Sequence, residues 1–244
     1  KRDLNIDLNS MVFIDDSPFE RDLVKRNLPC ITVAELPDDP SNYLEYLRSQ
    51  NYFETSSITD SDLKKTKLYK EENKRKQSKR KFKKNNAFLR TLKMNAKIDE
   101  INISNLKRVF QLIQKTNQFN TTNRRYSQAK IKDIIKSTNN YSRVISLKDS
   151  YGDYGIISCL ILNKIQDNLI IDIWVMSCRV FDRQIENFIF NQIVYLAKDL
   201  KCEKIIFLYK PTKKNVILIN LFKKYNFKKI KTEYSIIIED TVLL

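Results

Sequence analysis

The stretch VFIDDSPFER, residues 12–21, most constrains what this chain can fold into. An apolar run at 11–14 ends in two adjacent carboxylates, Asp15 and Asp16, and a Ser-Pro turn then opens an acidic-to-basic helix start. A buried strand followed at once by a helix is the unit of an α/β layer. Paired carboxylates at a strand tip also offer oxygen ligands suited to a hard cation such as Mg²⁺. The competing role for the pair is to cap the helix that follows.

The same texture continues downstream. Residues 30–33 read as a second strand between Pro29 and Pro37, and Tyr43, Leu44 and Leu47 recur at helical spacing. Thr59, Asp60, Ser61 and Asp62 supply N-cap candidates for a long polar helix reaching toward Lys84. That helix has no Gly or Pro, so it reads as a stiff connector. Residues 64–84 hold twelve Lys and Arg against two Glu, a net +10 of the chain's +16. Such a block steers toward an acidic partner. An acidic carrier protein and a nucleic acid both fit, as does a merely solvated face. Only Tyr69 and Phe82 interrupt the block, which gives base stacking little support.

Composition narrows the chemistry. With 42% hydrophobic residues, 12 Tyr and 13 Phe, the chain can bury a core. It contains no His, which excludes Ser-His and Cys-His nucleophile schemes within it. The four cysteines show no CxxC spacing, so a reduced cytoplasmic chain without a zinc site is expected. No apolar run approaches the roughly 18 residues of a membrane helix, and no secretory pattern opens the chain. Lys1 stands where an initiator Met would, so the sequence is expected to begin inside a longer protein.

From Phe88 the pattern reads β-α-α-β-β-β-α-β-α-β. Strands are expected at 96–101, 143–147, 155–163, 169–176, 204–209 and 234–239. Ser104 and Ser127 are expected to cap the first two helices, and a third is expected over 182–199. This order resembles the GNAT acyltransferase fold. The tail supports it with Asn215, Leu221-Phe222 and Asn226-Phe227, where Asn226 stands for the usual Gly before Phe. Asn tolerates the left-handed conformation required there.

Four segments taken in order are more specific: FIDDSPFER (13–21), ELPDDP (35–40), QKTNQFNTTNRRY (114–126) and SCRVFDRQIE (177–186). Together they resemble the FkbH-like family, in which a HAD-type phosphatase domain precedes a GNAT-like domain. The resemblance implies three parts: residues 1–55 as the C-terminal edge of a HAD-like, Rossmannoid α/β domain, 56–87 as a basic helical connector, and 88–244 as a GNAT-like mixed sheet with flanking helices. It implies glyceryl transfer to the thiol of an acyl carrier protein, with a small phosphorylated acyl donor, 1,3-bisphosphoglycerate. Polyketide or surface-glycan biosynthesis is the implied setting. Mg²⁺ would serve the phosphatase part, and phosphopantetheine or coenzyme A the transferase part. The alternatives are a noncatalytic carrier-protein or acyl-CoA binding module and a GNAT N-acetyltransferase.

Site residues follow from the resemblance. Asp15 and Asp16 would supply part of a Mg²⁺ site, whose other groups lie on strands that precede this sequence in the family. Cys178 stands at a strand-to-helix transition between Ser177 and Arg179 and could relay an acyl group; flanking Arg179 and Arg183 and the helix N-terminus would favour its thiolate. The alternative is a buried structural thiol. Residues 179–184 sit where the family's pyrophosphate loop, R/Q-x-x-G-x-G/A, would lie, with the Arg but neither Gly. Glu186 is a catalytic candidate or an ion-pair partner of Arg183 or Arg179. Lys115, Asn117, Gln118, Asn120, Arg124 and Arg125 could bind a polyol phosphate or phosphopantetheine, or could tie two helices to the sheet. Asn215 could hold a pantetheine amide or simply a turn. Phe222 occupies the position that often provides a Tyr general acid, so another acid is required.

Overall fold

The computed structural model describes residues 8–53, 65–230, 233–238, 241 and 243. The chain divides into two compact units, Lys1–Asn73 and Lys74–Leu244.

In the first unit, β1 (Val12–Phe13) and β2 (Thr32–Val33) form a parallel pair in the register Val12↔Thr32 and Phe13↔Val33. Between them runs α1 (Pro18–Asn27), started by Ser17, whose Oγ accepts the Glu20 N–H at 3.4 Å, and by Pro18 at its first position. Lys25 and Arg26 in its last turn complement the helix dipole. A short α2 (Tyr43–Ser49) follows β2. Among the described residues the strands are two residues long, shorter than the apolar runs expected from the sequence. No residue of α1 is buried, and Phe19 on it is 72% exposed.

The basic block forms α3 (Lys65–Lys79), and the division between units falls within it. Its expected caps at 59–62 lie outside the described residues. The helix stops before Lys84: the chain turns at Arg80 and Lys81 and re-enters helix as α4 (Asn85–Thr91), whose Phe88 and Leu89 pack with Leu92.

The second unit carries β3 (Asn95–Glu100), α5 (Leu106–Lys115), α6 (Gln128–Lys136), β4 (Asn140–Asp149), β5 (Gly152–Ile165), β6 (Asn168–Met176), α7 (Ile185–Asp199), β7 (Lys204–Leu208), α8 (Ile217–Lys224), β8 (Lys228–Ile230) and β9 (Glu233–Ile237). Among the described residues the sheet has seven strands in the order β3-β4-β5-β6-β7-β9-β8. Every neighbouring pair is antiparallel except β6 and β7. This is the α/β mixed sheet with flanking helices that the sequence leads one to expect, with β8 in addition. Three residues of β8, two of them Lys, leave too little alternation to show in the sequence.

Both faces of the sheet are covered, which explains why β5 and β6 are apolar almost without a break. Cys159 and Ile161 of β5 face α5 and α6, beside Val109, Ile113 and Ile131. Leu160 and Leu162 face the opposite side, beside Ile189 and Ile193 of α7 and Phe222 of α8. Register shifts in the β4–β5 ladder follow Ile145 and Leu147, and Gly155 holds φ +62° there, a conformation that glycine takes most easily. Ser127 caps α6 through the Lys130 N–H at 3.2 Å, as expected. Ser104 does not cap α5; its hydroxyl donates to Asn102 Oδ1 at 2.6 Å, and Asn105 is the N-cap residue. Asn226 adopts φ 59°, the left-handed conformation anticipated for it.

Candidate active site at the splay of two parallel strands

The sheet opens at one place. β6 and β7 pair over Asn168–Ile171 and Lys204–Phe207 and then part. Asp172 is the first β6 residue beyond the pairing. It is also the extra residue of a bulge, because Ile161 pairs with Ile173 while Leu162 pairs with Ile171. Bulges re-aim side chains. Here the bulge carries a carboxylate into an otherwise apolar strand, and Asp172 is 6% exposed.

Two groups from the segment after α5 reach that carboxylate. Arg124 pairs with Asp172 Oδ1, and the Tyr126 hydroxyl donates to Asp172 Oδ2. Burial raises the Tyr126 phenol above its ordinary value, and the Arg124 charge works against that rise. The phenol therefore keeps its proton at neutral pH and holds it in a hydrogen bond to the buried carboxylate.

Residues 119–122 enter the opening itself. The Met176 N–H donates to Phe119 O at 3.1 Å, and the Thr121 N–H donates to Trp174 O at 3.2 Å. On the β7 side the Lys210 N–H donates to Thr121 O at 2.9 Å. Asn120 and Thr121 are fully buried. Asn215 joins the same cluster: its Nδ2 donates to Asn120 O and Lys210 O, both at 2.9 Å, and its Oδ1 accepts from the Thr212 N–H at 2.8 Å and the Tyr209 hydroxyl at 3.2 Å. Two donors and two acceptor sites are thereby engaged. Asn120 is braced within its own loop, accepting from the Asn123 N–H at 2.9 Å and donating to Thr116 O at 3.3 Å. Arg125 clasps the loop through Ile113 O, Thr116 O and the side chains of Asn117 and Asn123. Lys115, Asn117 and Gln118 are exposed.

At the far end of β6, Cys178 is exposed at the start of a 3₁₀ turn, Cys178–Val180. By contrast, burial pushes the Cys159 thiol up to about 12, which leaves it inert. The loop that follows has an unusual backbone: Asp182 and Gln184 both adopt φ 61°. These are the two positions at which the motif this segment resembles carries glycine. The main chain thus keeps a left-handed conformation without the residues that take it most easily. Gln184 then starts α7 without a side-chain cap. Arg179 Nε donates to Ser177 Oγ at 3.3 Å.

Arg183 turns away into a buried cluster. It meets Asp149 at 3.3 Å, and Asp149 also takes paired bonds of 2.7 Å from Arg75 of α3. The Tyr154 ring lies 4.3 Å from the Arg75 guanidinium and 5.0 Å from that of Arg183. Glu186 pairs with neither Arg183 nor Arg179 at ion-pair distance; its partner is Lys224, at 4.0 Å. Phe222 is 1% exposed and stacks on Tyr234 at 4.2 Å, a packing role.

In the first unit, Asp15 Oδ1 accepts the Ser17 N–H at 2.9 Å, and Arg21 donates to the main-chain carbonyls of Asp15 and Asp16, both at 2.9 Å. No group of three or more Cys, Asp or Glu is placed to hold a metal among the described residues. Mg²⁺ takes six ligands, and the two Asp side chains are at most part of such a set.

The residues that sequence reasoning missed are Asp172, Tyr126, Asp149 and Arg75. A lone carboxylate inside the apolar run 169–176 was the available signal for Asp172. Arg75 is one of twelve basic residues in its block, and nothing in the sequence singles it out.

No protein-family model matches the chain, and no curated protein does. Solved structures do. The ribosomal-protein-S18-alanine N-acetyltransferase of Escherichia coli is 8% identical with a TM-score of 0.47, over 59% of this chain and 94% of that one. An acetyltransferase of the GNAT family from Staphylococcus aureus is 10% identical with a TM-score of 0.47, over 59% of this chain and 99% of that one. The N-terminal part of protein BF1531 from Bacteroides fragilis, which contains a phosphatase domain complexed with Mg, is 58% identical over 23% of this chain and 15% of that one, with a TM-score of 0.23.

Proposed function

We propose that the unit from Lys74 onward is an acyltransferase domain acting on a pantetheine thiol. The observation that carries this reading is the splay between β6 and β7, with a buried, Tyr-linked carboxylate at its apex. A strand edge with alternating N–H and C=O groups suits an extended amide-bearing arm. The arm would lie along Trp174 and Met176 and bring its thiol toward Asp172. The thiol attacks the carbonyl carbon of an acyl phosphate and phosphate leaves; the Tyr126 hydroxyl takes the thiol proton as it gives its own to Asp172, which supplies the acid-base function absent at Phe222. Arg124 holds the carboxylate charge.

The finer reading is glyceryl transfer to a carrier-protein thiol, coupled in a longer protein to HAD-type dephosphorylation of the donor. The FkbH-like motifs support it. Exposed Lys74 and Lys79 of α3 suit an acidic carrier protein. Cys178, exposed beyond the end of β6 and about 20 Å along the chain from Asp172, is a separate candidate nucleophile: its thiolate would attack the acyl phosphate and phosphate would leave.

A thioester trap tests the reading. The full chain, 1,3-bisphosphoglycerate and coenzyme A are incubated and followed by intact mass. 3-Phosphoglyceryl-coenzyme A is expected, because only the phosphate on the acyl carbon leaves, together with an acyl adduct on the protein that Cys178→Ala abolishes. An adduct that survives in Cys178→Ala removes Cys178 from the mechanism.

The second reading is a noncatalytic binding module. What favours it is the complete engagement of Asn215 and the filling of the splay by residues 119–122. Binding of coenzyme A without transfer from any acyl donor would select it.

A further inference from the structure

The segment that fills the splay is bonded as a ligand would be. Beyond Ile171, β6 has no partner in β7, and residues 119–122 take that place, running antiparallel to β6 with a bridge between Asn120 and Val175. The Thr121 hydroxyl accepts the Trp174 N–H at 3.0 Å, and the Thr122 hydroxyl donates to Asp172 O at 3.1 Å. Phe119 sits edge-on to Trp174 with ring centres 5.0 Å apart. The main-chain carbonyl of Asn120 receives the side-chain amide of Asn215. The polar groups on the splay side of β6 from Asp172 to Met176 would otherwise be an unpaired edge inside the domain, which is costly.

We propose that residues 119–122 are a built-in competitor for the splay, and that a pantetheine arm enters by displacing them and taking over their bonds to Trp174, Met176 and Asn215. The proposal rests on the pantetheine reading given above. The same groups cannot serve both chains at once. Binding therefore requires release of the segment, and the observed affinity is the intrinsic affinity scaled by the fraction of molecules in the released state.

What holds the segment from its own side is the brace within the loop, not the groups the arm would use. Asn120 bonds only to Asn123 and Thr116 through its side chain. Asn120→Ala therefore loosens the segment and leaves Trp174, Met176, Lys210 and Asn215 in place.

The experiment measures phosphopantetheine binding by calorimetry to the full chain and to Asn120→Ala, with amide exchange read by mass spectrometry. Asn120→Ala is expected to bind about tenfold more tightly than the unsubstituted chain. In the unsubstituted chain, saturating phosphopantetheine is expected to speed exchange at Phe119–Thr122 while Trp174 and Met176 stay protected. Equal or weaker binding by a folded Asn120→Ala overturns the proposal, as does binding with exchange at 119–122 unchanged; either result leaves the pantetheine reading standing and makes the segment a permanent strand. Should Asn120→Ala fail to fold, the exchange measurement on the unsubstituted chain decides alone. If neither folded protein binds phosphopantetheine, the ligand reading itself falls and this proposal with it.

Discussion

Replacing Asp149 with Ala is expected to lower the unfolding free energy by about 3–5 kcal/mol. The Asp149 carboxylate is fully buried, Arg75 is 2% exposed, and Arg183 pairs with the same group. Removing Asp149 takes a buried carboxylate from two guanidinium groups and from the Tyr151 and Gly152 amides it accepts at 2.9 and 3.0 Å. A domain of this size is stable by about 5–15 kcal/mol, so the loss is a large fraction of the whole. The contrast is Glu100→Ala, which breaks an ion pair with Arg143 at 3.0 Å whose carboxylate is 76% exposed. That change should cost less than about 1 kcal/mol. Urea unfolding of both variants measures the difference; similar midpoints would show that the Asp149 cluster is solvated.

The same cluster sets an acid limit on stability. Burial pushes the Asp149 carboxyl up, but the Arg75 hydrogen bonds and charge and the Tyr151 and Gly152 amides pull it down further, and the net position lies below the ordinary carboxylate value. Its stabilisation is complete above the unfolded value of about 4 and is lost as pH falls through the lower folded value. Asp149→Ala should flatten the stability profile below about pH 4.

The second large effect concerns Tyr126 and Asp172. Tyr126→Phe keeps the ring and removes the hydroxyl that bonds Asp172. Acyl transfer is expected to fall about 100-fold in kcat with KM little changed. Asp172→Asn should fall by a similar factor, since the amide cannot take a proton. Full activity in Tyr126→Phe would exclude it as the proton carrier and confine the pair to holding the loop.

Much of this architecture is legible in the residues. The apolar runs at 155–163 and 169–176 mark the central strands because both faces are covered, and Asn226 marks a helix end through its tolerance of the left-handed conformation. What the sequence hides is long-range. Arg183 reads as an anion ligand beside a helix start, yet it folds back to Asp149, a partner that no spacing rule connects to it. Asn120 and Asn215 read as ligand-binding amides, yet they bond through the splay to each other's neighbourhood. Asp182 and Gln184 occupy glycine-like backbone positions, and the side chains alone do not reveal it. Polar loops lack the periodicity that betrays helices and strands, so their partners emerge only once the sheet has brought them together.

Trp174 is the only tryptophan in the chain; it lies fully buried at the splay, with its indole N–H on Ser158 Oγ at 3.2 Å and Phe119 against its ring. It therefore reports directly on the central claim, that a pantetheine arm is bound along β6. Titration of the full chain with acetyl-coenzyme A, followed by tryptophan fluorescence, should give a saturable spectral change as Phe119 leaves the indole. Calorimetric binding with no change in Trp174 emission would place the ligand elsewhere and contradict the account.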